Sequence, residues 1–300
     1  MTALVLRLST EGEPLPCNLC GAQDPLPLWR VERFSEPIRI VRCRRCGLIF
    51  MSPRPAAERL KDLYGEGYFT GEAEFAYADH RAAEEPIRMF FRARLANMAR
   101  FVERGGLLDV GCSFGIFLDE ARRDGWRPVG VDVSEYAAGY ARSRFGLDVR
   151  TGDLSQAGIE PGSIAAATLI ETIEHLPDPR ATLERLRDFL RPGGLLVVQT
   201  ANARSLKAIM KGNAWEWIVP GHLYYFSIGT LRRLLDATGY EPLDVYPGGE
   251  FDLRTRIEVA RGCGAAGARR VLVVALRHFA RRMRAGGLTA GGFACYARRK

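Results

Sequence analysis

Three hundred residues, 47% hydrophobic, 10% aromatic and 26% charged, supply enough apolar material for one large domain or two modest ones and exclude disorder as the dominant state. A membrane span is not expected, because the longest late apolar run, Val271 to Leu276, stops at Arg277, far short of the ~20 residues a spanning helix needs. The net charge is +8, and residues 250–300 carry 12 Lys/Arg against 3 acids, so the body of the chain is near neutral and its excess charge is C-terminal.

At the N-terminus, Leu4 to Leu8 is interrupted by Arg7 and followed by Ser9, Thr10 and Glu11, so no secretory signal is expected and a cytoplasmic location is. Cys17-x-x-Cys20 and Cys43-x-x-Cys46 follow, separated by 22 residues. Two such knuckles suit a tetrahedral four-thiolate zinc site, each offering two sulfurs from one tight turn. Gly21 and Gly47 directly follow the knuckles, and Arg42, Arg44 and Arg45 would favour ionised sulfur. The alternative, disulfides or free thiols, is disfavoured because the cytosol is reducing. Ile38, Ile40 and Val41 read as a short strand between the knuckles, which predicts a zinc ribbon over about 15–52 in a domain of residues 1–52. Met51-Ser52-Pro53-Arg54-Pro55 reads as the exit linker. Residues 53–100 are expected to be a helical lid or linker. Tyr64, Tyr68, Phe69, Phe75 and Tyr77 would either cover a site or pack the ribbon onto the remainder.

From residue 101 onward the chain alternates strand, turn and helix. Strands are predicted at 107–110, 128–131, 147–150, 164–169, 195–199, 243–246 and 293–296. Helices are predicted from Ile116 to Asp124, from the Ser134 cap to Phe145, from Asp178 to Leu190, and from Thr230 to Thr238. Such alternation predicts an α/β domain over 101–300 with a doubly wound, mostly parallel sheet, and a basic insertion at about 248–290. Ligands in such sheets bind at the carboxyl ends of the strands.

The order of features after those strands narrows the chemistry. Gly111-Cys112-Ser113-Phe114-Gly115 is a glycine turn after the first strand. Asp132 follows the second strand, 21 residues past Gly111, where an acid can accept ribose hydroxyls. A dinucleotide enzyme would share both features. However, the turn is GxSxG rather than GxGxxG, and Asp109 before it would repel a pyrophosphate while anchoring an ammonium group. GxSxG also resembles a hydrolase nucleophile elbow, but no HGG-type oxyanion segment lies upstream.

Taken together, LLDVGCSFGIFL, VGVDVS, TGDL, LIETIEHLPDP and LRPGGLLVVQT resemble the successive motifs of class I S-adenosylmethionine-dependent methyltransferases. The resemblance covers about 100–247, with GGFACYARRK as the last strand. It implies a Rossmann-like seven-stranded sheet and S-adenosylmethionine as cofactor. By position, Asp109 and the Gly111–Gly115 turn, including Cys112 and Ser113, would hold the methionine moiety. Asp132 with Val133 would take the ribose, Asp153 with Leu154 would meet the adenine, and Glu171 would also face the cofactor. The ribbon before such a core is similar to a bacterial group of small-molecule and glycan methyltransferases.

Glu171-x-x-Glu174-His175 and the later His222 are the candidates for chemistry. On one helical turn Glu171, Glu174 and His175 would share a face. With His222 they would suit a second divalent ion, Mg, Mn, Fe or Zn. The pattern resembles the metal sites of small-RNA 2′-O-methyltransferases and ubiquinone-pathway O-methyltransferases, where the ion lowers the pKa of the attacked hydroxyl. Alternatively His222 or His175 is a metal-free base, or both are packing residues. His80 and His278 read as solvated. Trp215 and Trp217 could stack on an acceptor ring.

The expected activity is O-methylation of a hydroxylated small molecule or sugar, with RNA ribose 2′-O-methylation or sugar C-methylation as alternatives. The amphipathic stretch Ala268–Arg284 could meet nucleic acid or, peripherally, a membrane surface.

Overall fold

The computed structural model describes residues 15–55, 60, 62–70, 72, 81, 84–247 and 291–300. The expectations for Phe75, Tyr77, His80, His278 and the basic 248–290 insertion therefore lie outside the described residues.

Two sheets organise the chain. The smaller is antiparallel, in the order β1 (Pro25–Val31), β2 (Ile38–Cys43), β3 (Ile49–Met51) and β9 (Tyr224–Tyr225). Only β2 has a clear apolar alternation in the sequence, and β1 and β3 go unpredicted. The fourth strand, β9, comes from far down the chain: Ile49 pairs with Tyr225 and Phe50 with Tyr224. A two-residue strand carries no periodicity and is invisible before the tertiary pairing is known.

The larger sheet has seven strands: β4 (Gly106–Val110), β5 (Arg127–Asp132), β6 (Val149–Thr151), β7 (Ile164–Ile170), β8 (Leu190–Ala201), β10 (Tyr240–Pro247) and β11 (Gly292–Arg299). Their order is β10-β11-β8-β7-β4-β5-β6, and β11 runs antiparallel to both neighbours. This is the doubly wound sheet expected from the alternation, with the seven-stranded Rossmann-like form that the resemblance implies. β7, IAAATLI, is buried along nearly its whole length, as a central parallel strand must be when both faces are covered. β8 begins five residues earlier than expected. Its Pro192-Gly193-Gly194 is absorbed as an irregularity in the ladder, where Ile164 pairs with Leu190 but Ala166 with Leu195.

Seven α-helices lie among the described residues: α1 (Glu66–Thr70), α2 (Glu84–Met98), α3 (Ile116–Arg123), α4 (Glu135–Phe145), α5 (Pro179–Phe189), α6 (Leu206–Lys211) and α7 (Ile228–Ala237). Their starts are written locally. Ser134 caps α4, Asp178 caps α5 with Pro179 at its first position, and Ser227 forms a capping box with Thr230 on α7. α2 is locked to α3 by a buried ion cluster: Arg88 reaches Asp119 at 2.9 Å and Glu120 at 2.7 Å. Among the described residues no helix is long and apolar enough to cross a membrane.

Gly115 shows how tightly α3 is seated. It precedes the helix with φ +75°, and a Cβ there would lie 2.8 Å from Ala141 Cβ and 2.9 Å from Leu147 Cδ1. Gly115→Ala is expected to cost about 2 kcal/mol or more, from the left-handed backbone and the overpacking together. Denaturant unfolding would read this as a lower midpoint at unchanged slope.

Candidate functional site

The carboxyl ends of β4, β5, β6 and β7 surround a cavity of about 460 Å³. Its wall includes Gly111 and Ser113 after β4, Asp132 and Val133 at the end of β5, Asp153 and Leu154 after β6, and Glu171, Thr172 and His175 after β7. Tyr64, Tyr68 and Phe69 close one side. Gly111 has to be glycine: at φ +74° a Cβ would stand 2.5 Å from Thr172 Oγ1. Ser113 and Glu171, at φ +50° and +49°, are the non-glycine residues with left-handed backbone among those described, and both face this cavity.

Asp132 organises the loop. Its carboxylate accepts the Ser113 N–H at 2.7 Å and the Ser134 N–H at 2.9 Å, and burial still pushes its pKa up. Val133 stands beside it and is half exposed, an unusual setting for a valine and one that leaves an apolar face for a ligand. Leu154 is buried, while Asp153 spends its carboxylate capping its own 3-10 turn through the Ser155 N–H at 2.8 Å.

Three expected cofactor contacts stand elsewhere. Cys112 is buried, does not line the cavity, and packs its sulfur beneath Gly130. Gly115 serves helix packing, as above. Asp109 lies behind the wall, accepting the Thr168 hydroxyl at 2.6 Å, and burial pushes its pKa up to about 7.

Glu171, Glu174 and His175 do not share one helical face. Glu171 sits in left-handed backbone, and a 3-10 turn begins only at Ile173. Its carboxylate therefore turns to the Gln199 side chain, which donates at 2.5 Å; Gln199 in turn accepts from the fully buried Arg94. Glu174, His175 and His222 do converge, with one ligand atom of each within 4.8 Å of the others, and Glu171 is not in that group. The two imidazole rings lie 4.5 Å apart, nearly perpendicular.

Hydrogen bonds assign the imidazole tautomers. His222 Nδ1 donates to the Trp217 carbonyl at 2.7 Å, and His175 Nδ1 donates to the Gly221 carbonyl at 2.9 Å, with the Tyr64 hydroxyl oxygen 2.8 Å away. A carbonyl only accepts, so each Nδ1 carries the proton and each Nε2 keeps a lone pair. Burial lowers both pKa values, His175 to about 4 and His222 well below the ordinary range. Burial likewise raises Glu171 and Glu174. Both oxygens of Glu174 and one of Glu171 are buried with no hydrogen-bond partner. One carboxylate and two Nε2 lone pairs, each imidazole anchored through its other nitrogen, form a donor set that fits a divalent ion.

The cysteine quartet fits zinc equally well. Cys17 and Cys46 sulfurs stand 3.4 Å apart and Cys20 and Cys43 3.5 Å apart, all unbridged. Four sulfurs about 2.3 Å from one ion would be spaced at about 3.8 Å, close to what is found.

Sequence reasoning missed Arg94, Gln199 and Thr168. Gln199 was findable as the polar residue ending an apolar strand; Arg94, on a helix with ordinary amphipathic spacing, gave no signal. Trp215 is buried against Tyr225 and cannot stack on an acceptor, whereas Trp217 stacks on His222.

The sheet order, the glycine turn and the acid after β5 are those of the class I S-adenosylmethionine-dependent methyltransferase fold. The chain matches the family model for the methyltransferase domain over residues 77–245, more than half its length, and belongs to that family. It is 27% identical over 249 residues to the C-methyltransferase NovU of Streptomyces niveus, a match covering 80% of this chain and 54% of that protein. It is 29% identical over 153 residues to the ubiquinone biosynthesis O-methyltransferase of Idiomarina loihiensis, covering 46% of this chain and 63% of that one. The chain thus spans between half and two-thirds of the length of these relatives. A SAM-dependent methyltransferase from Archaeoglobus fulgidus has a similar fold, with TM-score 0.50 and 19% identity over 74% of this chain and all of that one.

Asp109 gives a pH prediction. Its folded pKa is raised above its unfolded value, so its contribution to stability is full below about pH 4 and is lost as pH rises through about 7. Asp109→Asn should flatten part of the decline in stability between pH 4 and 8, measured by denaturant unfolding of the ligand-free protein across that range.

Proposed function

We propose that the chain transfers a methyl group from S-adenosylmethionine to a hydroxylated small molecule or sugar. The observation that carries the reading is the Glu174–His175–His222 cluster, adjoining the cavity at the strand ends with two imidazole lone pairs unused. S-adenosylmethionine, when bound, supplies an electrophilic methyl group on a sulfonium.

The chain's residues have three tasks. The Gly111–Ser113 backbone receives the methionine end, Asp132 accepts the ribose hydroxyls, and Val133 and Leu154 pack against the adenine, with Asp153 at the rim. Asp109 acts from behind the wall by holding the loop. Tyr64, Tyr68 and Phe69 exclude water, which strengthens every charge interaction inside. The buried carboxylates, Glu171 foremost, favour a cationic ligand over a neutral one.

His222 Nε2 then accepts the acceptor hydroxyl proton, with His175 beside it. Where a divalent ion is present, Glu174, His175 and His222 would hold it, and its contribution would be to lower the pKa of that hydroxyl. The four cysteines would hold a separate structural zinc.

A second reading is C-methylation, in which the same base takes a carbon-bound proton. It is favoured by the match to NovU, which covers more of this chain than residues 101–300 alone could supply.

The test is transfer of tritiated methyl from S-adenosylmethionine into host extract, with RNA, glycan and small-molecule pools counted separately. Label is expected in the small-molecule or glycan pool; label lost on ribonuclease treatment would overturn this in favour of RNA. Hot hydriodic acid should release the label as volatile methyl iodide if it is O-linked and leave it in place if C-linked. His222→Ala should lower transfer by about 10²–10⁴-fold without weakening binding of S-adenosylhomocysteine. The purified protein should carry one equivalent of zinc by elemental analysis, released when the cysteine thiols are titrated with a mercurial.

A further inference from the structure

We infer that the ribbon positions the reactive histidines, and that Arg33 is the residue through which it sets His222. The inference rests on the proposed role of His222 for its catalytic meaning, but its geometry is independent of that role.

His222 lies in an irregular stretch between the 3-10 turn at Gly212–Ala214 and β9. Such a segment has no ladder of its own; turns pair some of its backbone groups, Ile218 N–H with the Trp215 carbonyl and His222 N–H with the Val219 carbonyl, and others find partners outside it. Ribbon residues supply them. Arg33, in the loop between β1 and β2, donates to the carbonyls of Asn213 at 2.6 Å, Trp215 at 2.9 Å and Ile218 at 2.5 Å. The planar guanidinium offers its donors in a fixed fork, so three carbonyls are held in one geometry. Within that gripped span lies Trp217, whose carbonyl receives the His222 Nδ1 proton and whose ring stacks on the imidazole.

On the other side of His222 the ribbon holds again. The Met51 N–H donates to the Leu223 carbonyl at 2.8 Å, and the Leu223 N–H donates to the Glu174 carbonyl at 2.8 Å. A backbone relay thus runs from β3 past His222 to the carboxylate cluster. The segment that follows His175 is tied to the same module: the Asn18 amide donates to Asp178 at 2.8 Å, and Arg180 donates to the Leu19 carbonyl at 2.6 Å. Asn18 and Leu19 are the two residues inside the first cysteine knuckle. One small module therefore grips both segments that bring His175 and His222 together.

Arg33 is solvent-exposed and outside the cavity wall, so its replacement should not unfold the chain. The experiment compares wild type, Arg33→Lys, Arg33→Met and His222→Ala, all zinc-loaded. ¹⁵N-histidine NMR reads the His222 tautomer directly, and calorimetry reads S-adenosylhomocysteine binding. Methyl transfer is measured on the extract fraction that wild type labels. Arg33→Met is expected to shift or split the His222 ring signals and to lower transfer by about 10- to 100-fold, with S-adenosylhomocysteine affinity unchanged. Arg33→Lys, which keeps one point donor of the fork, should fall between.

Unchanged His222 signals in Arg33→Met would overturn the inference, whatever the transfer rate. If His222→Ala keeps wild-type transfer while Arg33→Met still perturbs the ring signals, the positioning stands and the proton-accepting role of His222 is what fails.

Discussion

Buried carboxyl groups at one end of the sheet are the constraint on which the site depends. Asp109, Asp132, Glu171 and Glu174 all sit at or just beyond the carboxyl ends of β4, β5 and β7, and burial raises the pKa of each. Isolated carboxylates in such a place would simply protonate. Here Asp132 is held by two loop amides, Asp109 by Thr168, and Glu171 by Gln199 with Arg94 behind it. Glu174 alone keeps both oxygens without a bond. The arrangement suits a cationic guest, whose charge would favour the ionised carboxylates, and its wall carries apolar side chains, Val133 and Leu154 among them.

The same constraint explains the strained backbone. Ser113 and Glu171 take left-handed conformations that cost free energy without glycine, and each does so where a strand ends at the cavity. The turn at Ser113 points its amide at Asp132. The turn at Glu171 brings its carboxylate onto the Gln199 amide while it stays beside Glu174, and the proximity of the two acids helps to raise the Glu174 pKa.

The ribbon is joined to the core through β9. Its strand β3 completes a sheet with β9, and its arginine and knuckle contacts fall on the two segments that carry the histidines. Hydrogen bonds thus connect the four-cysteine module to the segments that carry His175 and His222.

Much of this was legible in the residues themselves. The alternation of apolar strands with capped helices gives the doubly wound core, because periodicity and caps are local properties. The glycine turn and Asp132 at their spacing mark the cavity at the strand ends, and the paired CxxC knuckles mark the four sulfurs that come together. What stayed hidden is what depends on contacts distant in sequence. β9 is a strand only because β3 lies beside it. Glu171 leaves the cluster only because Gln199 of the neighbouring strand offers an amide. Cys112 turns to the core because Gly130 leaves room there, and Arg33 becomes a clamp only when three carbonyls some 180 residues away converge on it. Sequence alone determined the elements and the chemical types available; tertiary structure decided which of those groups meet, because a hydrogen bond or a ligand set is a relation between positions that local periodicity does not encode.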